Sequence, residues 1–223
     1  QLLTEAPAPD NEYASVNEWL SPDEYESLSD AEKWQRALDR YNKRQKSKWQ
    51  IGIEYERYIG YLLEQKGYTV HYNGATEGVE DMGRDLIAEN DTNCLIVQCK
   101  RWAQEKVIHE KHIFQLYGTT VLQKLHPKTL KNIIGVFVTT ADVSALALDC
   151  ADYLDIKVYA QIPYKDYPKI KCNYSNTGDK IYHLPFDQQY DRTLIKPNSL
   201  DFYAQTVQEA ESKGFRHAFR WHS

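Results

Sequence analysis

Three polar side chains occur at the ends of two short apolar segments that have the pattern of a β-hairpin. Asp85 begins the segment DLIAE, and Gln98 and Lys100 end the segment CLIVQCK. Burying unpaired polar groups costs free energy, so apolar strands contain them only for a reason. Because strand side chains alternate between faces, Gln98 and Lys100 point to the same side, and Asp85 reaches this patch across the turn NDTN. The pattern predicts that a carboxylate, an amide oxygen and an ammonium group converge at one end of the hairpin.

This combination of groups suits a hard divalent cation and a phosphodiester. Mg²⁺ prefers oxygen ligands in octahedral array and keeps several waters. Beside a phosphate, such an ion stabilises charge on the scissile group and lowers the pKa of a bound water, and a neighbouring lysine offsets charge in the transition state. The preceding loop EDMGRD adds two carboxylates, those of Glu80 and Asp81. The hairpin therefore indicates metal-assisted chemistry on a phosphodiester.

The hairpin lies within a series of alternating helices and strands. Ser29 and Glu32 form a capping box that opens a helix, and a second helix with an apolar stripe ends at Gly67. The predicted order is a helix from residue 29, a helix over 49–66, strand YTVHY, strands 84–89 and 94–100, a helix over 108–125, strand 132–140, a helix over VSALALDCADYLD and strand IKVYA. This order predicts an α/β fold with a mixed β-sheet flanked by helices on both faces.

Charge is unevenly distributed along the chain. The net charge is −5, yet residues 1–32 contain nine acidic residues and no Lys or Arg. The rest has 27 basic and 23 acidic residues, a net charge of +4, which fits a phosphate-bearing partner. We expect residues 1–28 to form an acidic, loosely ordered arm, either a solvated linker or a segment that covers the basic surface.

Composition also bears on the cellular compartment. No apolar run is long enough to span a bilayer, and the four cysteines lack CxxC spacing. Scattered cysteines favour a reducing, cytoplasmic environment and argue against zinc. The chain opens with Gln1 rather than Met, which leaves open a membrane anchor or a recognition domain upstream.

Two motifs together resemble a known family. The segments GRDLIA and IVQCK, preceded by the helix EYERYIGYLLEQKGYTV, resemble the Mrr-like restriction endonucleases. These are a branch of the PD-(D/E)XK nuclease superfamily that often has Gln in place of the acidic ligand. The resemblance covers roughly residues 49–160. It implies a restriction-endonuclease-like α/β core and Mg²⁺-dependent cleavage of DNA, with Mn²⁺ as a substitute for Mg²⁺.

The resemblance also implies roles for individual residues. Asp85 matches the family's metal-binding aspartate, Gln98 the variant second ligand and Lys100 the catalytic lysine. Glu56 matches the helix glutamate that often completes the metal site, and the backbone carbonyl of Cys99 would be a further ligand. Gln98 replaces a charged ligand, so we expect Glu56 or Asp81 to supply the missing charge.

The surroundings of the predicted site contain further polar residues that could meet DNA. His109 and His112 lie three residues apart on a predicted helix, a spacing that permits a metal pair, although we favour contact with phosphate. Gln115 is similar to a glutamine on a helix of some nucleases of this superfamily. The residues expected to contact nucleic acid are Arg84, Arg101, Lys106, His109, Lys111, His112 and Gln115.

We predict three regions: the arm over 1–28, a nuclease domain with a leading helix over 29–161, and a small α+β module over 162–223. In the module, KIYHLP and EAESKGFRHAFRW resemble the zinc-binding module of Ada-type repair proteins, but its cysteines are absent and Asp187, His217 and Arg220 stand in their place. We therefore expect no zinc. Its basic and aromatic side chains could either contact nucleic acid or pack within the protein, and both alternatives remain open. These residues are Tyr190, Arg192, Lys196, Phe215, Arg216, Arg220 and Trp221.

The leading functional interpretation is a Mg²⁺-dependent DNA endonuclease in restriction or defence against foreign or modified DNA. One alternative is a nucleic-acid-binding module with a relict nuclease site, although relict sites usually lose the Asp or the Lys, and both are present. Another is a structure-specific nuclease of junctions or recombination. Cleavage of both strands by one site per chain favours a homodimer.

Overall fold

The computed structural model describes residues 16–74, 83–102, 105–125 and 130–218. The helices are α1 (Val16–Trp19), α2 (Pro22–Ser27), α3 (Asp30–Lys43), α4 (Lys48–Glu64), α5 (Glu110–Leu125), α6 (Ala145–Tyr153) and α7 (Val207–Ser212). The strands are β1 (Thr69–Tyr72), β2 (Leu86–Glu89), β3 (Asn93–Lys100), β4 (Val107–Ile108), β5 (Asn132–Thr139), β6 (Asp142–Val143), β7 (Ile156–Tyr159), β8 (Ile170–Tyr174), β9 (Lys180–His183), β10 (Phe202–Ala204) and β11 (Arg216–His217).

The chain divides into two compact units. The mid-chain unit comprises Lys46–Asp166 and Lys196–Asn198, and the terminal unit comprises the described parts of Gln1–Gln45, Tyr167–Ile195 and Ser199–Ser223. No helix among the described residues has the length and apolar character that crossing a membrane requires.

The mid-chain unit is built on a five-stranded mixed sheet in the order β1-β2-β3-β5-β7. The first three strands pair antiparallel, and β3, β5 and β7 pair parallel. On β3, Cys94 and Ile96 pack against Ile113 and Leu116 of α5, while the alternate residue Val97 is buried on the face that α4 covers. The predicted mixed sheet flanked by helices is confirmed, and β3 lies at its centre with both faces buried.

Local chemistry explains where α4 begins and how closely it packs. Ser47 caps the helix: its hydroxyl accepts a hydrogen bond from the Gln50 backbone N–H, and the Gln50 side chain binds the Ser47 N–H in return. This capping box satisfies two otherwise unpaired donors. Further along, a Cβ on Gly60 would lie 2.4 Å from the hydroxyl of Tyr72 on β1, so only glycine permits this contact.

The terminal unit has a four-stranded sheet in the order β10-β8-β9-β11. Its core joins distant parts of the chain, because Trp19, Leu38 and Tyr41 pack in one cluster with Ile170 and Tyr182. Tyr190 and Phe215, which the sequence offered as stacking residues for nucleic acid, are both buried. Their rings therefore belong to the interior of this unit, and Arg220 and Trp221 lie outside the described residues.

The observed unit boundaries differ from the predicted domain boundaries of 28/29 and 161/162. The predicted arm contains α1 and α2 from residue 16 onward, and residues 1–15 lie outside the described part. Trp19 has no exposed surface, and Glu24 forms a 2.7 Å salt bridge with Arg40 of α3. Helix α3, which we expected to lead into the nuclease domain, belongs to the terminal unit. Its apolar stripe packs with the C-terminal strands, a partner that periodicity alone does not identify.

Candidate active site

The predicted polar residues lie where β2 begins and β3 ends. Leu86 pairs with Val97, so Asp85, one residue further, lies opposite Gln98. Asp85 and Gln98 are both buried, with 7% and 0% of their surface exposed. The Asp85 carboxylate accepts a hydrogen bond from the backbone N–H of Cys99 at 2.6 Å. The structure thus brings Asp85 to the last residues of β3, at the end of the central strand.

Gln98 is the most unusual of these residues because both atoms of its buried amide lack hydrogen-bond partners among the described residues. An unsatisfied buried polar group costs about 1–3 kcal/mol. Next to it lies Gly83, whose φ of 79° favours glycine. A Cβ on Gly83 would lie 2.8 Å from Gln98 Nε2 and 2.9 Å from Gln115 Nε2. Gly83 therefore leaves room for both amides, and α5 brings Gln115 beside Gln98.

Glu56 on α4 lies beside Asp85. The backbone N–H of Gly74 donates to the Asp85 carbonyl at 3.0 Å. A Cβ on Gly74 would lie 2.6 Å from Glu56 Oε2 and 3.5 Å from the Cα of Asp85. Burial raises the pKa of the Cys99 thiol, and the negative charges of Asp85 and Glu56 raise it further. The carboxylates of Asp85 and Glu56 therefore both lie near Cys99.

The backbone carbonyl of Cys99 is directed toward Asp85. Within a strand, the N–H and C=O of one residue point to the same neighbouring strand. Because the Cys99 N–H binds the Asp85 carboxylate, the Cys99 carbonyl is directed to that side as well. This orientation agrees with the predicted role of this carbonyl as a ligand.

Two threonines that the sequence analysis did not single out hold the backbone around Lys100. The Lys100 carbonyl accepts hydrogen bonds from Thr139 Oγ1 at 2.9 Å and from the Thr140 N–H at 3.2 Å. Thr140 Oγ1 also donates to the Trp102 carbonyl and accepts from the Trp102 N–H, at 2.7 and 2.9 Å. The signal in the sequence was a Thr-Thr pair at the carboxyl end of a buried parallel strand.

The two histidines near the start of α5 lie in different surroundings. His109 is exposed and immediately precedes α5. The His112 ring instead packs against Trp102 and Phe137, with centroid distances of 5.1 and 6.3 Å. Burial lowers the pKa of His112, and the charge of Lys100 lowers it further. His112 is therefore partly buried beside these rings, and its contact with phosphate stays a prediction.

The other predicted contact residues differ in exposure. Arg101, Lys106, Lys111 and Gln115 are exposed, and Arg84 is half-buried. The Arg101 guanidinium lies 4.6 Å from the ring centroid of Tyr164, and the Lys106 ammonium lies 5.4 Å from that of Trp102. Glu80 and Asp81 lie outside the described residues.

The residues at the end of β3 fit a hard divalent cation. Their donors are the Asp85 and Glu56 carboxylates, the Gln98 amide oxygen and the Cys99 carbonyl, all of which are oxygens, as Mg²⁺ prefers. Within the described ranges no cluster of three or more His, Cys, Asp or Glu side chains could hold a metal ion. A cation at this place would therefore depend on the amide and the carbonyl as well as on the carboxylates. The unpartnered Gln98 amide is the observation that favours such a ligand.

Comparison with solved structures finds two partial likenesses. A protein of unknown function, AF1548, is 19% identical with a TM-score of 0.38, and the match covers 51% of this chain and 61% of that one. The restriction endonuclease MspJI, in complex with a 27-mer oligonucleotide, is 14% identical with a TM-score of 0.35, over 60% of this chain and 32% of that one. The chain thus spans less than two thirds of either structure.

Comparison with curated proteins finds no match. A family model does match: Mrr_cat, described as restriction endonuclease, aligns with residues 50–159. The matched range contains α4, the five-stranded sheet and the candidate residues at the end of β3. The resemblance drawn from the sequence motifs is confirmed, because residues 50–159 match the restriction endonuclease model Mrr_cat.

Proposed function

We propose that this protein is a Mg²⁺-dependent endodeoxyribonuclease that hydrolyses DNA phosphodiester bonds in restriction or defence against foreign or modified DNA. The family of residues 50–159 supports a nuclease. The observation that carries the proposal is the buried Gln98 amide, which has no partner in the described part of the chain and lies beside Asp85. A ligand that binds this amide offsets the cost of burying it.

In this proposal Asp85, Glu56, Gln98 and the Cys99 carbonyl hold the cation, with Asp81 as a further candidate ligand. When bound, Mg²⁺ neutralises charge on the scissile phosphate and lowers the pKa of a coordinated water. The hydrogen bond from the Cys99 N–H fixes the Asp85 carboxylate. The glycines at positions 74 and 83 leave space in which the Glu56 carboxylate and the Gln98 amide approach the site.

Lys100 acts on the reacting atoms. Its side chain follows Gln98 on the same face of β3, and its backbone is held by Thr139 and Thr140. An ammonium group at this position orients the attacking water and stabilises the extra negative charge of the transition state. Lys100 therefore contributes to the rate more than to the binding of the metal.

DNA binding would depend mainly on phosphate contacts from basic residues around the site. Arg84, Arg101, Lys106, His109 and Lys111 are the candidates, and such contacts fix position without reading sequence. A homodimer is part of the proposal, because one site per chain cleaves one strand. The proposed location is the cytoplasm, where cysteines stay reduced, as are Cys94, Cys99, Cys150 and Cys172.

A plasmid-nicking assay with Mg²⁺, with Mn²⁺ and with a chelator tests this function. We expect cleavage with either ion and none with the chelator. Lys100→Ala should abolish cleavage while DNA binding persists, and Lys124→Ala, which removes an exposed lysine of α5, should cleave like the wild type. Cleavage by Lys100→Ala at the wild-type rate would instead favour a binding module with a relict site.

A further inference from the structure

A groove of about 730 Å³ opens beside the proposed active site. It lies entirely within the mid-chain unit. Two of its residues, Arg101 and Trp102, directly follow Lys100, so the Cα atoms of Trp102 and Lys100 are at most ~7 Å apart. The residues that line the groove include Arg101, Trp102, Thr140, Asp142, Gln161 and Tyr164.

The aromatic walls of the groove are held from several sides. Thr140 fixes the Trp102 backbone through two hydrogen bonds, and the indole packs edge-on against the His112 ring. The Tyr164 hydroxyl donates to Glu54 at 3.3 Å, and its ring packs edge-on against Tyr58 at 5.3 Å. The two rings are therefore positioned before any ligand arrives, which lowers the entropy cost of binding.

The polar side of the groove is also preorganised. Gln161 has a φ of 55°, the left-handed region that non-glycine residues seldom adopt. Its side-chain amide donates a hydrogen bond to the Asp142 carboxylate. The backbone N–H of Ile162 donates to the Thr139 carbonyl at 2.9 Å, which ties this turn to the end of β5. Strained backbone of this kind tends to occur at functional sites.

We propose that this groove binds an unpaired nucleobase of the DNA substrate, one or a few nucleotides from the scissile bond. Trp102 and Tyr164 line the groove with half-buried rings, and every base has a π-face that can stack on such a ring. The Lys106 ammonium and the Arg101 guanidinium lie 5.4 and 4.6 Å from the centroids of these rings, so a base would stack there together with these cations. Arg101 can stack on a base or bind the adjoining phosphate. Asp142 and Gln161 present hydrogen-bonding groups that suit the polar edge of a base. The ligand class is thus a nucleotide that is out of the double helix.

This inference rests on the proposed nuclease function and narrows its substrate class. Bases inside a duplex present only their edges, so they cannot stack on Trp102 or Tyr164 unless they leave the helix. A single strand, a bulge or a flipped base near the cleavage point satisfies this condition. We therefore expect DNA with an unpaired nucleotide to bind better, and to be cleaved faster, than a perfect duplex of the same sequence.

Binding in a chelator tests the groove without cleavage. The probes are one fluorescein-labelled single strand, its perfect duplex and the same duplex with one bulged nucleotide, each titrated with the full chain. Trp102→Leu and Tyr164→Leu should weaken binding to the single strand and the bulge by about 5- to 100-fold, as expected for loss of one stacked base, and leave duplex binding unchanged. The matched controls are Trp49→Leu and Tyr153→Leu, whose side chains are 58% and 89% exposed in the same unit. Equal weakening of all three probes, or of none, overturns the proposal.

Photocrosslinking locates the base directly and needs no substitution. A bulged 5-iodouracil should crosslink to Trp102 or Tyr164, and the same base in paired position should not. Crosslinks mapped only elsewhere would overturn the proposal.

Cleavage is scored separately with Mg²⁺. If wild type cleaves but the groove variants bind every probe normally, the groove inference fails and the nuclease function stands. If crosslinking succeeds and no substrate is cleaved, the groove stands as a nucleic-acid site and the nuclease function fails.

Discussion

Gln98 in the mid-chain unit and Lys171 in the terminal unit are both buried polar side chains on strands, with 0% and 1% of their surface exposed. The Lys171 ammonium donates to the carbonyls of Tyr190 and Thr193 at 3.2 and 3.0 Å and lies 4.8 Å from the Tyr190 ring centroid. The Gln98 amide has no such partners in the described ranges. A satisfied buried group stabilises a fold, whereas an unsatisfied one weakens it unless a ligand arrives.

The histidines of the terminal unit extend this contrast. His217 Nε2 lies 2.9 Å from the Asp187 carboxylate, and its ring stacks on Trp34 with a centroid distance of 3.7 Å. The same carboxylate accepts from the Leu184 N–H at 2.6 Å. Asp187 and His217, which stand where the Ada-type resemblance would have zinc ligands, therefore bind each other and join β11 to the segment after β9.

The largest expected effect comes from Asp85→Asn, which removes charge from the proposed site and keeps its shape. We expect cleavage to fall by at least about 10³-fold, equivalent to ~4 kcal/mol of transition-state stabilisation. DNA binding should persist because basic residues elsewhere supply it. Single-turnover cleavage and anisotropy measure the two quantities. Retained cleavage would mean that the polar end of β3 is structural, as Lys171 is.

The second-largest effect is a dependence of stability on pH that comes from His183. This residue is buried in the terminal unit, and its burial lowers the pKa of the imidazole to about 4. The charge of Asp187 partly opposes this shift, and those of His217 and Lys171 add to it. Between pH 6.5 and 4 the unfolded chain binds a proton that the folded unit does not, so stability falls as pH falls, by up to about 3 kcal/mol. Hydrogen exchange of β8 and β9 at several pH values measures this loss.

His183→Gln should remove this part of the pH dependence, since glutamine does not titrate. His109→Gln, at an exposed position, should leave the pH dependence of hydrogen exchange in β8 and β9 unchanged. If stability falls with pH equally in wild type and in His183→Gln, other groups cause the acid destabilisation.

A comparable effect is expected for Lys171→Met, which removes the buried ammonium donor of the Tyr190 and Thr193 carbonyls and leaves the Tyr190 carbonyl with the Thr193 N–H at 3.3 Å. We expect the terminal unit to lose about 2–3 kcal/mol. Lys213→Met provides the control, because its exposed ion pair with Glu209 contributes at most ~1 kcal/mol. Chemical denaturation with hydrogen exchange as a local probe separates the two units. An unchanged terminal unit in Lys171→Met would remove the contrast with Gln98.

The smallest expected effect is a gain in stability on replacing Gln98. Gln98→Leu should stabilise the metal-free protein by about 1 kcal/mol, since it replaces an unpaired buried amide with an apolar group. The same variant should lose the stabilisation that Mg²⁺ or Mn²⁺ gives the wild type. Gln98→Glu should behave in the opposite way. Without metal it should be less stable than the wild type, and it should bind the metal at least as tightly as the wild type does. A loss of stability in metal-free Gln98→Leu would show that the amide has a structural partner.

Local patterns in the sequence sufficed to bring together part of the candidate site. Asp85, Gln98 and Lys100 lie on one hairpin, and alternation along β3 determines which of them share a face. Thr139 and Thr140 were missed because they meet Lys100 through strand pairing across 39 residues. Gln161 and Tyr164 were missed as well, since no periodicity marks a turn that borders a groove.

The same limit explains the domain boundaries. The capping box of α3 and its apolar stripe predicted the helix correctly. They did not indicate which surface would cover Ala37, Leu38 and Tyr41, because the partner strands lie more than a hundred residues later. Trp19 shows the problem most clearly: an aromatic residue within an acidic, proline-containing segment looks like part of a linker, yet its side chain is fully buried.

The division of the chain has a consequence for synthesis on the ribosome. In the sequence, the residues of the mid-chain unit, apart from Lys196–Asn198, come between the two halves of the terminal unit. At ~5–20 residues per second, about 8–30 s separate Trp19 from Ile170. During that interval the mid-chain unit acquires all the strands of its five-stranded sheet, while α1 and α3 still lack the surface that covers them. Helices α1 and α3 therefore depend on chaperones or on their own solubility until the last quarter of the chain emerges.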